Sequence, residues 1–258
     1  MQKLITQKSV LAILSMVNKL LYIALLVLFA SCDKEGAPDC FKKAGDVTEE
    51  KRVLSAFDKL EISDYLYIEL IQSDDHYVEI IGPKNLLDKI ETEVEEGVLY
   101  ISNGNTCNFV RSFKNDIRVK VYSPNIRDIQ NRGTGDITTP DTLFYPYLKI
   151  ENRHAAGTVS IKFVGDSIAA FTQTGVADVL LSGEVFKAEL FNQGVGKIDA
   201  LGLRAQQTYI NNSSINDIRA YCSGYLFAIN YFSGNIYVTG DPDDQDIVRE
   251  GTGQIIVE

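Results

Sequence analysis

Two aspartates, Asp136 and Asp178, occupy the middle of a recurring unit made of a small residue, a variable residue and an aliphatic residue. Thr158, Lys197, Asp217, Asn235 and Gln254 take that place in the other copies, so acids appear in three of seven and never in adjacent ones. If the copies stack, two acids two layers apart lie roughly 9–10 Å from each other, the spacing of an inverting carboxylate pair on a polysaccharide. Polar corner residues give the same pattern without chemistry, and the sequence predicts no catalytic residue. The two histidines agree with this. His76 follows Asp74 and Asp75 in an expected hairpin turn, and His154 sits among Arg153, Ala155 and Ala156. Neither has a Gly-x-Ser-x-Gly elbow or a Cys/His context, and both read as surface polar residues.

The acidic stretch Asp241-Pro242-Asp243-Asp244-Gln245-Asp246 raises calcium. An EF-hand needs Gly at its sixth position, here Asp246, and Glu at its twelfth, here Thr252, so the motif fails and a solvated loop is expected. No cysteine or histidine spacing matches a zinc site, so no metal and no cofactor is predicted. Aromatics carry the remaining argument for binding. Tyr221, Tyr225, Phe227, Tyr231, Phe232 and Tyr237 crowd the last copies, and those pointing outward would stack on sugar rings or on a protein partner.

The address of the chain is written in its first residues. Leu20 to Ala30 is an uninterrupted apolar run, preceded by Lys19 and followed by Ser31 and Cys32. It is shorter than the ~20 residues of a membrane span and has signal-peptide anatomy. Leu28-Phe29-Ala30-Ser31-Cys32 resembles the lipobox of bacterial lipoproteins, with Phe29 in place of the usual Leu. Residues 1–31 are thus expected to be a signal peptide whether translation starts at Met1 or Met16. Cys32 is the expected lipid attachment site, and 32–40 a tether. Asp33-Lys34-Glu35 looks like the sorting tag of Bacteroidetes lipoproteins destined for the cell surface, with the periplasmic face as the alternative. An exported chain meets an oxidising compartment. Cys222 lies within a strand pattern and reads as a buried free thiol, which leaves Cys40 to pair with Cys107.

Composition excludes one class of partner. The net charge is −10, and removing Lys3, Lys8 and Lys19 with the signal takes it to −13. No basic stripe exists to exchange for the counterions of a polyanion, so nucleic acid is not a partner.

The element that must position these side chains is a repeat. Its small-x-aliphatic marks are Gly135-Asp136-Ile137, Gly157-Thr158-Val159, Ala177-Asp178-Val179, Gly196-Lys197-Ile198, Asn216-Asp217-Ile218, Gly234-Asn235-Ile236 and Gly253-Gln254-Ile255. The aliphatic residues are 22, 20, 19, 20, 18 and 19 positions apart. Period-two stretches such as Val159-Ser160-Ile161-Lys162-Phe163 lie between them, so each copy consists of short strands and turns. A unit of that length cannot bury its own apolar face, so the copies must stack as rungs roughly 4.8 Å apart. An all-β fold is predicted, a β-solenoid of the right-handed parallel β-helix type with ~20-residue rungs. Asn131, Asn152, Gln173, Asn192, Asn212 and Asn230 precede the small positions by four residues, or five in the second copy, and read as a structural amide ladder.

Residues 41–130 are strand-rich without a clear repeat, with strands at Leu60-Glu61-Ile62, 67–70, 77–81, 98–102 and 117–122, and one or two helical turns within Leu86 to Thr92. No linker separates this part from the repeats, so 41–258 is expected to be one domain. Its final copy ends at Glu258 with nothing left to fold over it. A weak homodimer pairing edge to edge would cover that rung, as would an earlier segment of the chain.

Several segments carry a family resemblance: Arg52 to Ile62, Asn85 to Val94, Cys107-Asn108-Phe109-Val110-Arg111-Ser112 and the Gly-x-Gly-x-Ile units. Over about residues 40–258 the chain resembles the head GIN domain family, a group common in Bacteroidetes lipoproteins and labelled auto-transporter adhesin. The resemblance implies a β-helix-like fold and export, and the family has no established biochemical activity. The expectation is therefore a lipid-anchored, non-catalytic envelope protein that binds a glycan or protein ligand. A polysaccharide-active enzyme and a purely structural envelope protein are the alternatives.

Overall fold

The computed structural model describes residues 44–106 and 116–258, together with Lys19. Its described part is one compact unit, Gly45–Asn105 with Lys114–Glu258. A second unit, Met1–Ala44 with Thr106–Phe113, lies outside the described residues except for Lys19, Ala44 and Thr106. Cys32, Cys40 and Cys107 fall there too.

The first strands are β1 (Val47–Val53), β2 (Lys59–Ile62), β3 (Tyr67–Gln72) and β4 (Tyr77–Pro83). The one-turn helix α1 (Lys84–Leu87) follows, then β5 (Ile90–Glu95), β6 (Val98–Asn103) and β7 (Arg118–Ser123). The helix ends at once because Ile90 starts a strand, so a second helical turn, one of the two lengths expected, does not form. Next come β8 (Asp128–Asn131), β9 (Ile137–Thr138), β10 (Leu143–Phe144) and β11 (Tyr147–Asn152). Three long strands follow, β12 (Thr158–Thr172), β13 (Asp178–Asn192) and β14 (Ile198–Asn212). The chain closes with β15 (Ile218–Tyr221), β16 (Tyr225–Asn230), β17 (Ile236–Thr239), β18 (Asp244–Arg249) and β19 (Ile255–Val257).

All nineteen strands belong to one hydrogen-bonded sheet that winds into a β-solenoid of about six turns with ~20-residue rungs. Its strands fall on two flanks. Flank A stacks β6, β2, β8, β11, the second halves of β12, β13 and β14, then β16 and β18, all in parallel register. Flank B stacks β7, β3, β9, the first halves of β12, β13 and β14, then β15, β17 and β19. The long strands run from flank B round an open corner to flank A. A tight turn then returns the chain to flank B one rung higher.

Alternation decides which side chains fill the interior. Ile168, Ala170, Val179 and Leu181 of one rung are at most 3% exposed, and each buried Ile, Leu or Val contributes about 1.5–3 kcal/mol relative to exposure. Glycine is required where rungs touch. A Cβ on Gly196 would overlap the Ala177 carbonyl oxygen of the rung before, and one on Gly183, whose φ is 123°, would overlap the Phe163 carbonyl oxygen.

The rung formed by β2 and β3 lies outside the sequence repeat. It stacks on β8 and β9 in register, Ile62 beside Asn131 and Ile68 beside Ile137. Between them in sequence, the described residues 73–106 and 116–127 build a cap. β7 and β4 extend flank B, β4 pairs antiparallel with β7 and β1, and β5 pairs antiparallel with β6 at the end of flank A. The β5–β6 hairpin closes through Glu96 and Gly97, both at positive φ (48° and 77°), as a two-residue turn that matches strand twist requires. No hairpin forms at Asp74-Asp75, because β7 lies between β3 and β4. At the other end all six residues of β18 are exposed, and among the described residues no strand pairs with the outer edge of β18 or β19.

Candidate binding surface

The repeated acids serve the turns. Asp136 Oδ1 accepts the Thr158 N–H at 2.8 Å, Asp178 Oδ1 the Lys197 N–H at 3.0 Å, and Asp217 Oδ1 the Asn235 N–H at 2.8 Å. Asn235 Oδ1 continues the series to Gln254 N–H at 2.8 Å. Each side chain thus binds the backbone of the next rung, and the acids do not converge on a cleft.

Asn131, Asn152, Asn192, Asn212 and Asn230 are buried and stacked, but Gln173 is displaced from the amide column. Register puts Thr172 between Asn152 and Asn192, because the turn after Thr172, like the one after Asn152, holds one extra residue. Gln173 instead lies on the outer side and donates to Glu151 Oε1 at 2.7 Å. Among the described residues the only amide-to-amide bond within this column runs from Asn131 Nδ2 to Asn152 Oδ1, 2.9 Å. In later rungs the amide closes its own turn: Asn192 Nδ2 donates to Gly196 O (2.9 Å), Asn212 Nδ2 to Asn216 O (3.1 Å) and Asn230 Nδ2 to Gly234 O (2.7 Å).

His154 is exposed at a turn with φ 54°. His76 is not a free surface residue: it is half-buried, edge-on to Phe57 at 5.0 Å, with Nδ1 3.4 Å from the buried Ser123 Oγ. That hydroxyl also lies 3.1 Å from the Asn125 carbonyl, and being fully buried it is shielded from any substrate. Cys222 is a buried free thiol. The acidic stretch is only partly a loop, since Asp244 and Asp246 belong to β18, and Asp246 accepts the Tyr225 hydroxyl at 2.6 Å. That bond pushes the Tyr225 phenol up to about 12. Among the described residues no group of three or more His, Cys, Asp or Glu is placed to hold a metal.

The six late aromatics separate onto three surfaces. Tyr221 and Tyr237 lie on the outside of flank B beneath Arg204 and Arg219, at 5.0 and 5.7 Å. Tyr231 and Phe232 project from a turn, about half exposed. Tyr225 and Phe227 lie on the outside of flank A, where they join Phe171, Phe191 and Tyr209, which sequence reading missed. Counting back from the asparagine column finds them: the residue one before it and the residue three before it face outward in every rung. Phe171 contacts Phe191 at 5.9 Å between ring centres, and Tyr209 contacts Tyr225 at 5.8 Å and Phe227 at 6.3 Å. These five rings, with Ile229, are all partly accessible and cover four successive rungs of a flat parallel flank.

Charges around this strip are matched. Lys187 pairs with Glu189 and lies 4.8 Å over the Tyr209 ring. Next to Phe171, Glu151 is 7% exposed in its side chain and holds Lys149 at 2.7 Å and Arg153 at 2.5 Å. Burial draws the Glu151 carboxyl upward, but hydrogen bonds from Lys149 and Arg153 outweigh it and hold it below the usual range. Asp128, in the same outward column as Lys149, is raised, chiefly by desolvation.

Fold and surface define the class: a β-solenoid with an antiparallel N-terminal cap, presenting a flat aromatic flank. Within that class the chain belongs to the family described as putative auto-transporter adhesin, head GIN domain, whose model matches residues 56–242. It is similar to the crystal structure of a putative adhesin from Bacteroides fragilis, 25% identical with a TM-score of 0.76 over 83% of this chain and 97% of that one. A putative adhesin from Parabacteroides merdae shares the fold at 16% identity and a TM-score of 0.56, over 83% of this chain and 98% of that one. A protein described as a putative lipid binding protein from Parabacteroides distasonis does so at 17% and 0.56, over 82% and 97%. No curated protein matches the chain.

Proposed function

We propose that the protein is a lipid-anchored, non-catalytic component of the cell envelope that works by binding, with the outer side of flank A as its contact surface. The aromatic strip carries the reading: five partly accessible rings on one flank are apolar surface left available, while the acids that would serve catalysis are committed to turns. The adhesin label of the family and of the Bacteroides fragilis protein supports the same reading. Lipid at Cys32 keeps the solenoid at the membrane, and Asp33-Lys34-Glu35 directs it to the cell surface. The test uses the full chain in detergent, co-sedimented with isolated cell envelopes. Phe227→Glu should abolish co-sedimentation and Ser160→Glu, on flank B, should not. Equal binding by both variants overturns the assignment of the surface. Palmitate labelling should vanish in Cys32→Ala, and unchanged labelling overturns the anchor.

A further inference from the structure

Resting on the binding reading of flank A, we infer that its ligand is an uncharged glycan chain lying across the rungs, parallel to the solenoid axis. Three observations select this chemistry. The first is geometry: the rings occupy successive rungs of a flat parallel flank, so the strip is about 14 Å long from first rung to fourth, the length of about three extended pyranose units. Pyranose C–H faces are apolar and stack on aromatic rings, and a chain advancing by about one rung per sugar passes a ring in each of the four rungs, Phe171, Phe191, Tyr209 and then Phe227, with a sideways step of one outward position between Phe191 and Tyr209.

The second is the distribution of hydrogen-bonding groups. Gln207 shares an outward column with Lys187 and Tyr225, and its carboxamide makes no side-chain hydrogen bond among the described residues. Asn211 follows Phe191 two outward columns away, with its Oδ1 engaged by Ser213 Oγ at 3.1 Å and its Nδ2 free to donate. Tyr209, whose outward column lies between theirs, brings a phenol to the same rung. Amide and hydroxyl groups beside ring faces suit sugar hydroxyls, which need donors and acceptors along the edge of an apolar face.

The third is charge. Lys187 pairs with Glu189, and at the Phe171 end Lys149 and Arg153 both pair with Glu151 with Asp128 beside Lys149, so each cation at the strip already faces a carboxylate and none stands alone for a uronate or sulfate. The chain's net charge of −10 further opposes a polyanion. A neutral polysaccharide escapes both penalties.

The experiment is affinity electrophoresis of the full chain in detergent through gels containing laminarin, mannan, xylan or dextran, with alginate as the polyanionic comparison. At least one neutral glycan should retard the wild type. Tyr209→Ala and Phe227→Ala should each weaken that retardation about 10-fold, and Gln207→Ala by less, while Tyr237→Ala on flank B should leave it unchanged. Thermal melts identify any variant that fails to fold, and the conservative Tyr209→Phe should keep most of the binding. Retardation by alginate alone, by none of the glycans, or equally in all variants overturns the inference. Envelope co-sedimentation still sensitive to Phe227→Glu, without retardation by any glycan, overturns the glycan and leaves the binding surface standing with a protein ligand. Loss of both overturns both.

Discussion

Replacing Thr172 by asparagine should stabilise the protein. Thr172 stands in the amide column between Asn152 and Asn192, and three buried polar atoms lack a protein partner there: Asn152 Nδ2, Thr172 Oγ1 and Asn192 Oδ1. The column has a polarity, because Asn131 Nδ2 donates upward to Asn152 Oδ1. An asparagine at 172 continuing that polarity would accept from Asn152 Nδ2 and donate to Asn192 Oδ1, so one side chain satisfies both neighbours and removes the third orphan. Two new buried hydrogen bonds are worth about 2 kcal/mol net, at about 1 kcal/mol each. For a chain of this size that raises Tm by about 4–8 °C. Thr172→Val is the control. It deletes a hydroxyl that bonds nothing and so should cost less than about 1 kcal/mol, while leaving both neighbours unpaired. The assay is thermal and urea unfolding of the three proteins side by side. A Thr172→Asn protein no more stable than Thr172→Val would refute the argument that polarity runs through the column.

Gly196→Ala should destabilise by about 3 kcal/mol, because the new methyl meets the Ala177 carbonyl, backbone that cannot move without shifting a rung; urea unfolding reads this directly. Glu151→Gln should cost about 1–2 kcal/mol at pH 7 by weakening its bonds to Lys149 and Arg153. Because the folded Glu151 carboxyl lies below its unfolded value of about 4.3, its contribution is fully present above that pH and fades as pH falls through the folded value, so the gap between wild type and variant should close in melts below about pH 4. Thiol titration of denatured protein purified without reductant should find one free cysteine, Cys222, if Cys32 carries lipid and Cys40 is joined to Cys107; three free thiols would refute the pairing.

What the sequence disclosed depended on the distance over which each pattern is written. The rungs from Asn131 onward declare themselves because each turn repeats its small residue within about 20 positions. The β2–β3 rung did not, since its turn, Ser63-Asp64-Tyr65-Leu66, has no glycine and takes its positive φ at Asp64 instead, and its neighbour in space follows the whole cap. Of the cap strands, β4, β6 and β7 were legible from their alternation, whereas β1 and β5 were not, and the antiparallel pairing of β4 with β1 and β7 escaped because it is set by partners tens of residues away. Gln173 shows the limit on a finer scale. An amide at the right count from Ala177 looks like a column member, but one extra turn residue moves the inward position to Thr172, and only the register of β12 against β11 and β13 reveals it. Phe171, Phe191 and Tyr209 escaped for the same reason: they are spread over three rungs, and become one surface only when the rungs are aligned.

The cap has a kinetic consequence. From Asn152 upward, each rung can close on the one before by bringing together residues about 20 positions apart, so this part can zip one turn at a time. The first rung cannot, since Ile62 must wait for Asn131, about 70 positions later, and that longer closure adds about 1 kcal/mol of chain entropy to its barrier. The β5–β6 hairpin, closed by two residues, forms within the intervening excursion and offers β2 an edge before any later rung exists. A chain synthesised amino terminus first therefore holds a prefabricated template on which the first rung waits, and the unpaired strand edges that invite misassociation are exposed for the time it takes β8 to arrive.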